Sequence, residues 1–334
     1  MKISVAMCTY DGERFLREQL ASIAAQERPP DELIVCDNRS ADSTPEIVSE
    51  FAASAPFAVR LHVNEQNLGS TKNFERAVSL CEGEIIALSD QDDVWRADKL
   101  ALVGECFSKN PSVGVVFSDA EIVDEHLRGL GRRLWSESGF DEKKKALIRE
   151  GRALDVLLPA YYVTGATMAF RSKFRDLVLP IPTGRPMIHD GWIALVIAAV
   201  AEVAFIEEPL IKYRQHARQQ LGAPTRRDDG REESKAKAQL ILDAARRTNS
   251  YSDLISNLDA VRERLSLTGT TDGRFVSRVE ERLGHLKTRS NLPGRAGRRL
   301  TAVLRELLTL RYHKYSNGIP SAAKDLLQPR AGRR

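Results

Sequence analysis

Apolar residues cluster in short runs near the head of the chain, at 3–7, 33–36, 59–63 and 84–89. Runs of this length predict buried strands. Between them the spacing changes to a helical one. Leu16, Leu20 and Ile23 share a face within 13–26, and 71–81 repeats the pattern. Ser43-Thr44-Pro45-Glu46 opens a further helix, with a hydroxyl cap and Pro in the first turn. Repeated strand–helix units predict a parallel sheet with helices on both faces. Strands are also expected at 113–117 and 203–206, and 164–170 reads as a turn entering another strand. The most apolar stretch, 193–201, is too short to cross a bilayer and predicts a buried helix. Composition shifts beyond Gly222. Residues 226–237 read as a linker or solvated helix, 240–267 and 275–286 as helices. In 296–312, Leu300, Val303, Leu304, Leu307 and Leu308 share one face, bordered by Arg298, Arg299, Arg305 and Arg311.

Open α/β sheets bind ligands beyond the carboxyl ends of their strands. Polar clusters stand at those ends: Cys8-Thr9-Tyr10-Asp11, Asp37-Asn38-Arg39-Ser40, the segment 64–70, and Asp90-Gln91-Asp92-Asp93. Four loops are thus expected to converge on one crevice. The fourth puts three carboxylates within four residues, directly after a buried strand. Like charges repel, and each loses hydration when buried. A hard divalent cation, Mg²⁺ or Mn²⁺, would relieve that cost. A solvated acidic turn is the alternative.

Charge refines this picture. The 334 residues carry a net +4, but residues 1–224 carry −7 and residues 225–334 carry +11. Residues 287–334 hold twelve basic and two acidic side chains. No recognised nucleic-acid module accompanies them. A basic amphipathic helix at 296–312 fits an anionic membrane surface; packing of its leucines on the remainder of the protein is the alternative. The four cysteines form no CxxC pair and read as buried thiols in a reducing compartment. No signal peptide is visible, so a cytoplasmic location is expected, with peripheral contact at the inner membrane face.

The segments CTYDGERFLREQLASIAAQ, DNRSADST, NEQNLGSTKNFERAV and SDQDDVWRADKL, in this order, resemble the donor half of family-2 glycosyltransferases of the GT-A fold. YVTGATMAF, HDGWIAL and LIKYRQH extend the resemblance to about residue 216, and SDQDDVW with YHKYSNGIPSAAKDLL is similar to a rhamnosyltransferase-like subgroup. The resemblance implies a mixed, mainly parallel α/β sheet. It implies a glycosyltransferase domain over 1–222, with a donor half at 1–100 and an acceptor half at 101–222, and a basic helical extension over 223–334. The implied activity is inverting, metal-dependent transfer from a nucleoside-diphosphate sugar to a glycan or lipid-linked glycan, in cell-surface polysaccharide synthesis. dTDP-rhamnose is the favoured donor, with a UDP-hexose or UDP-N-acetylhexosamine as alternative. A sugar-nucleotide nucleotidyltransferase would want a glycine-rich loop after the first strand, where this chain has Gly12 alone. That class and a non-catalytic nucleotide-binding protein rank lower.

Position by position, the resemblance implies that Tyr10 stacks on the base and that Asn38 accepts from it, standing where many relatives carry Asp. Asp37 orients the loop or contacts the base, and Lys72 lies near the nucleotide. Asp90 faces the ribose, Asp92 and His216 bind the metal, and Asp93 supports them. Arg214 helps neutralise the diphosphate. Asp190 is the catalytic base, or an N-cap of the following helix. His189 tunes that loop, Trp192 lines the acceptor pocket, and Trp95 closes the acidic run on the substrate side.

Overall fold

The apolar runs at the head of the chain become four parallel strands: β1 (Ile3–Thr9), β2 (Glu32–Asp37), β3 (Ala58–Val63) and β4 (Ile85–Ser89). Three helices connect them: α1 (Leu16–Ala24), α2 (Thr44–Ala52) and α3 (Ser70–Leu80). The structure is a computed structural model describing residues 1–158, 160, 162–184, 187–216, 219, 251–268, 273–316 and 318–327. The charged run 226–237 and the first part of the helix expected over 240–267 lie outside the described residues.

The chain then adds β5 (Val94–Trp95), α4 (Lys99–Lys109), β6 (Val113–Val123) and β7 (Gly129–Arg133). Next come α5 (Leu134–Ser138), α6 (Glu142–Arg149), α7 (Ala153–Leu157), β8 (Met168–Arg171), α8 (Arg175–Val178), α9 (His189–Ala198) and β9 (Glu202–Arg214). The sheet runs β3-β2-β1-β4-β8-β6-β9-β5, with β7 beside β6. β8, β5 and β7 run against the other six strands. The sheet is therefore mixed and mainly parallel. Its core joins Ile3, Val5 and Met7 of β1 to Leu16, Leu20 and Ile23 of α1, the face that the helical spacing marked.

Two strands outrun their sequence signals. β9 continues past Ile206 through Pro209 to Arg214, and β6 reaches Val123. Proline cannot donate to a ladder. The β6–β9 register shifts at Ser118/Asp119 and Asp119/Glu121, opposite Pro209, so an irregularity absorbs the missing donor. This extension carries Tyr213 and Arg214 to the crevice region.

The chain divides into two units, Met1–Thr183 with Ile188–Leu242, and Gly184–Met187 with Asp243–Arg334. The second is helical among its described residues: Tyr251–Thr268, Gly273–Ser290, Ala296–Leu308, Arg311–Tyr315 and Ile319–Leu327. The helix expected over 296–312 breaks at Leu310, which adopts φ +58°. Val303, Tyr312 and Ala322 form a small core, with Leu292, Leu307 and Leu326 against it. Buried polar pairs cross this unit. Arg289 holds Asp325 at 2.6 Å, the Tyr312 hydroxyl donates to Asp325 at 2.8 Å, and His285 Nδ1 lies 2.6 Å from Glu306.

Candidate active site

The carboxyl ends of β1, β2 and β4 open onto a cavity of about 680 Å³, a size typical of small-molecule sites. Tyr10, Asn38, Asp90, Asp92, Asp190 and His216 all line it. The structure thus gathers six of the expected residues, drawn from segments more than two hundred positions apart.

The first loop is built by side chains that hold backbone. Asp37 is fully buried and accepts from Thr9 Oγ1 at 2.8 Å, from Ser40 N at 2.8 Å and from Ser40 Oγ at 2.6 Å. Asp37 is absent from the cavity wall; it orients the loop. Asp11, at φ 45°, accepts from Ala41 N at 2.8 Å, joining the first two loops. Tyr10 is 48% exposed at the cavity, which leaves its ring open for stacking.

Asn38 differs from its expected role. Its amide oxygen accepts from Leu68 N at 2.7 Å and from Asn64 Nδ2 at 3.1 Å, and its amide nitrogen donates to Asn67 at 2.7 Å. Both oxygen lone pairs are engaged. Asn38 therefore braces the loops after β2 and β3, with no lone pair left to accept from a base. Asn64 also donates to Asn73 at 2.8 Å, and Asn73 donates to Cys36 O at 2.7 Å.

The acidic run follows β4. Asp92 Oδ2 lies 2.8 Å from His216 Nε2, and the His216 ring packs on Phe15 at 4.7 Å. Asp93 is fully buried; one oxygen accepts from Arg214 N at 3.0 Å and the other, Oδ2, has no hydrogen-bond partner among the described residues. Burial drives Asp90 up to about 7, helped by the charges of Asp92 and Asp190. Burial pushes Asp93 up as well. Gln91, between the carboxylates, accepts from Tyr10 N at 2.8 Å and donates to Tyr10 O at 3.0 Å. A Cβ on Gly12 would run into that amide and push it aside.

Asp190 lies in the first turn of α9, not at its N-cap, which is Ile188. Its carboxylate accepts from Gly165 N at 3.2 Å and from Gly191 N at 2.6 Å. His189 beside it stacks on Phe74 at 4.1 Å, and burial lowers its pKa.

Four expected contacts fall elsewhere. Trp192 is 2% exposed, donates to Val178 O at 2.8 Å, and is a core side chain because its helix face points inward. Trp95 is buried beneath the Lys99 ammonium, 3.6 Å from its ring centre. Lys72 pairs with Glu75 at 2.7 Å, away from the cavity wall. Arg214 is buried, and its guanidinium donates to Asp92 O at 2.7 Å, to Glu125 O at 2.6 Å and to Glu18. It anchors the backbone of the acidic run and leaves diphosphate neutralisation to other charges.

Spacing gave no separate signal for Gln91, Arg14, Asn64 and Asn73, although all four lie in the segments that carry the resemblance. Arg14 lines the cavity and pairs with Glu125 at 3.0 Å. Against it stand four carboxylates of Asp11, Asp90, Asp92 and Asp190. Such a wall repels a diphosphate unless a cation intervenes. Among the described residues no group of three or more His, Cys, Asp or Glu side chains is placed as a metal cage. Mg²⁺ and Mn²⁺ sites often use one or two carboxylates and complete themselves with substrate phosphates. The Asp92–His216 pair supplies oxygen and imidazole donors that suit such an ion.

Comparison with known proteins bears on this site. The family described as Glycosyl transferase family 2 matches residues 4–177. The dTDP-rhamnosyl transferase RfbG of Shigella flexneri is 35% identical over 231 residues, covering 65% of this chain and 74% of that protein. The crystal structure of S. aureus TarS 1–349 in complex with UDP-GlcNAc superposes with a TM-score of 0.55 at 17% identity, covering 100% of this chain and 93% of that one. A mannosyltransferase from Pyrobaculum calidifontis in complex with GDP-Man and Mn²⁺ gives a TM-score of 0.51 at 17% identity, covering 97% and 78%. At these identities the structural likenesses establish the GT-A fold. The chain spans about three fifths of the length of other curated relatives it matches.

Proposed function

The chain belongs to glycosyl transferase family 2, and from that premise we propose that it transfers a sugar, with inversion, from a nucleoside-diphosphate donor to a hydroxyl of a glycan. One observation carries the reading: the Asp190 carboxylate lines the same cavity as Tyr10 and the Asp92–His216 pair. A sugar hydroxyl is a weak nucleophile until its proton is taken. Asp190 accepts that proton as the hydroxyl oxygen bonds to the anomeric carbon. The bond from that carbon to the phosphate oxygen breaks, and its electron pair leaves with the nucleoside diphosphate. Tyr10 stacks on the base. Asp92 and His216 would hold a divalent ion, which would supply positive charge against the leaving diphosphate. dTDP-rhamnose is the preferred donor on the likeness to the Shigella flexneri enzyme; the TarS complex keeps UDP-GlcNAc as the alternative.

Calorimetric titration of dTDP-rhamnose, UDP-glucose and UDP-N-acetylglucosamine, with Mn²⁺ or with EDTA, tests the donor site. Metal-dependent binding of one donor, lost in Asp92→Ala, is expected. Binding indifferent to both changes would refute the assignment of Asp92.

For the acceptor we infer a lipid-linked glycan at an anionic membrane face. Among the described residues no helix is long and apolar enough to cross a membrane. In Ala296–Leu308 the expected apolar face divides. Val303 is buried and Leu307 packs on the small core, while Leu300, Leu304 and Leu308 are exposed, Leu308 by 84%. Ile319 and Leu327 of the last described helix are exposed as well. Among the described residues, six of the twelve exposed large apolar side chains fall within 300–327, which is clustering rather than scatter. Arg298 and Arg305 are exposed on the same helix as the leucine row. Co-sedimentation with phosphatidylglycerol vesicles, and weak co-sedimentation with phosphatidylcholine vesicles, is expected. Undiminished binding after serine replaces Leu300, Leu304 and Leu308 together would count against this surface.

A further inference from the structure

Lys99 opens α4 and is 1% exposed. A buried ammonium forfeits its hydration, so its partners must justify the position. Burial lowers its pKa to about 7, against the pull of Asp93 and Asp90. Its Nζ donates to Ala166 O at 2.7 Å and sits 3.6 Å from the centre of the Trp95 ring.

These two contacts belong to different parts of the active site. Trp95 lies two residues beyond Asp93, whose Oδ2 oxygen is buried without a hydrogen-bond partner among the described residues. Ala166 lies in the 3₁₀ turn Gly165–Thr167 that leads into β8. The preceding residue of that turn, Gly165, gives its N–H to the Asp190 carboxylate. One ammonium therefore touches β5, the short strand directly after the acidic run, and the turn that holds the base.

We propose that Lys99 is a positioning residue for transfer, its ammonium fastening the Gly165–Thr167 turn to β5, directly after the acidic run, so that Asp190 and the donor site keep one registration. The inference rests on Asp190 as the base and Asp92 as the donor-side ion ligand. A methionine would fill the same space but would leave the Ala166 carbonyl unmet. It would also remove a positive charge that acts on Asp93 and Asp90. Displacement of a reacting group by about 1 Å costs on the order of 10²-fold in rate.

Two measurements read the fastening separately. Amide hydrogen exchange needs no substrate. In Lys99→Met it should accelerate at 165–167 by about tenfold, and stay unchanged in β1. For turnover, the donor chosen by the calorimetric panel is followed as nucleoside diphosphate release with water as acceptor. Lys99→Met should lower kcat by about 10²-fold, with donor affinity held within about threefold. Lys99→Ala should lose the same activity and regain part of it with added propylammonium, but not with propanol. Unaltered exchange at 165–167 would overturn the proposal. So would loss of kcat and donor affinity together, or the absence of amine rescue. Should Lys99→Met fail to fold, Lys99→Ala with and without propylammonium gives the decision. Asp190→Asn is measured alongside. Full turnover there would remove the base assignment itself, whereas a dead Asp190→Asn beside a fully active Lys99→Met would remove only the role of Lys99.

Discussion

The acidic cluster at the end of β4 and the acids buried in the helical unit are treated in opposite ways. In the helical unit the two buried acids among the described residues meet a cation or donor: Asp325 has Arg289 and the Tyr312 hydroxyl, and Glu306 has His285. At the end of β4 the acids exceed their partners. Asp93 keeps one oxygen without a hydrogen bond among the described residues, and Asp90 is driven to about 7. Matched charges hold a fold at little net cost, while an unmatched cluster is a deficit that a ligand can fill. The same residue type therefore reads as architecture in one unit and as a binding site in the other.

The comparison fails most visibly if Asp190 proves to be architectural. Asp190→Asn keeps an acceptor for one of the two backbone N–H groups and should cost turnover about 10²–10⁴-fold, the usual contribution of a general base. Its melting temperature should stay within a degree or two of wild type, read by calorimetry. Next in size is the matched side. Arg289→Met strands Asp325 in a buried site and should destabilise by about 3–5 kcal/mol in denaturant titration, the usual cost of breaking a buried pair.

A third test uses pH. The folded pKa of Asp90 is raised, so its contribution to stability is full below the ordinary carboxylate value near 3.8 and is lost as pH rises through about 7. In EDTA, Asp90→Asn should match wild type near pH 4 and exceed it in melting temperature above pH 7. A constant difference across that range would show that Asp90 is not the strained group. The smallest effect is expected from Gly12→Ala, which displaces the Gln91 amide from Tyr10 and should weaken donor binding only several-fold by calorimetry.

Much of this was legible in the sequence because its signals were local. The β1 to β4 runs and the 16–20–23 face of α1 follow from period alone, and the strand ends marked the crevice. The failures were failures of direction. Trp95, Trp192 and Arg214 are residue types that serve either a core or a ligand, and which one depends on the face presented: for Trp192 the inward face of α9, for Trp95 and Arg214 the extension of β9 past Pro209. Asn38 misled for a related reason. Its amide has two lone pairs, and only three-dimensional neighbours reveal that Leu68 and Asn64 have already taken both. Lys99 gave no signal, since a lysine at the start of a helix reads as solvated.

The two-point clasp between Gln91 and Tyr10 has a consequence for engineering this enzyme. The Tyr10 ring proposed to stack on the base and the carboxylates proposed to face the diphosphate are sewn into one patch of backbone. A change of donor cannot then be grafted loop by loop. A chimera that imports 9–12 from a relative without its 90–93 would arrive with a loose seam, and the two segments should be exchanged as a pair.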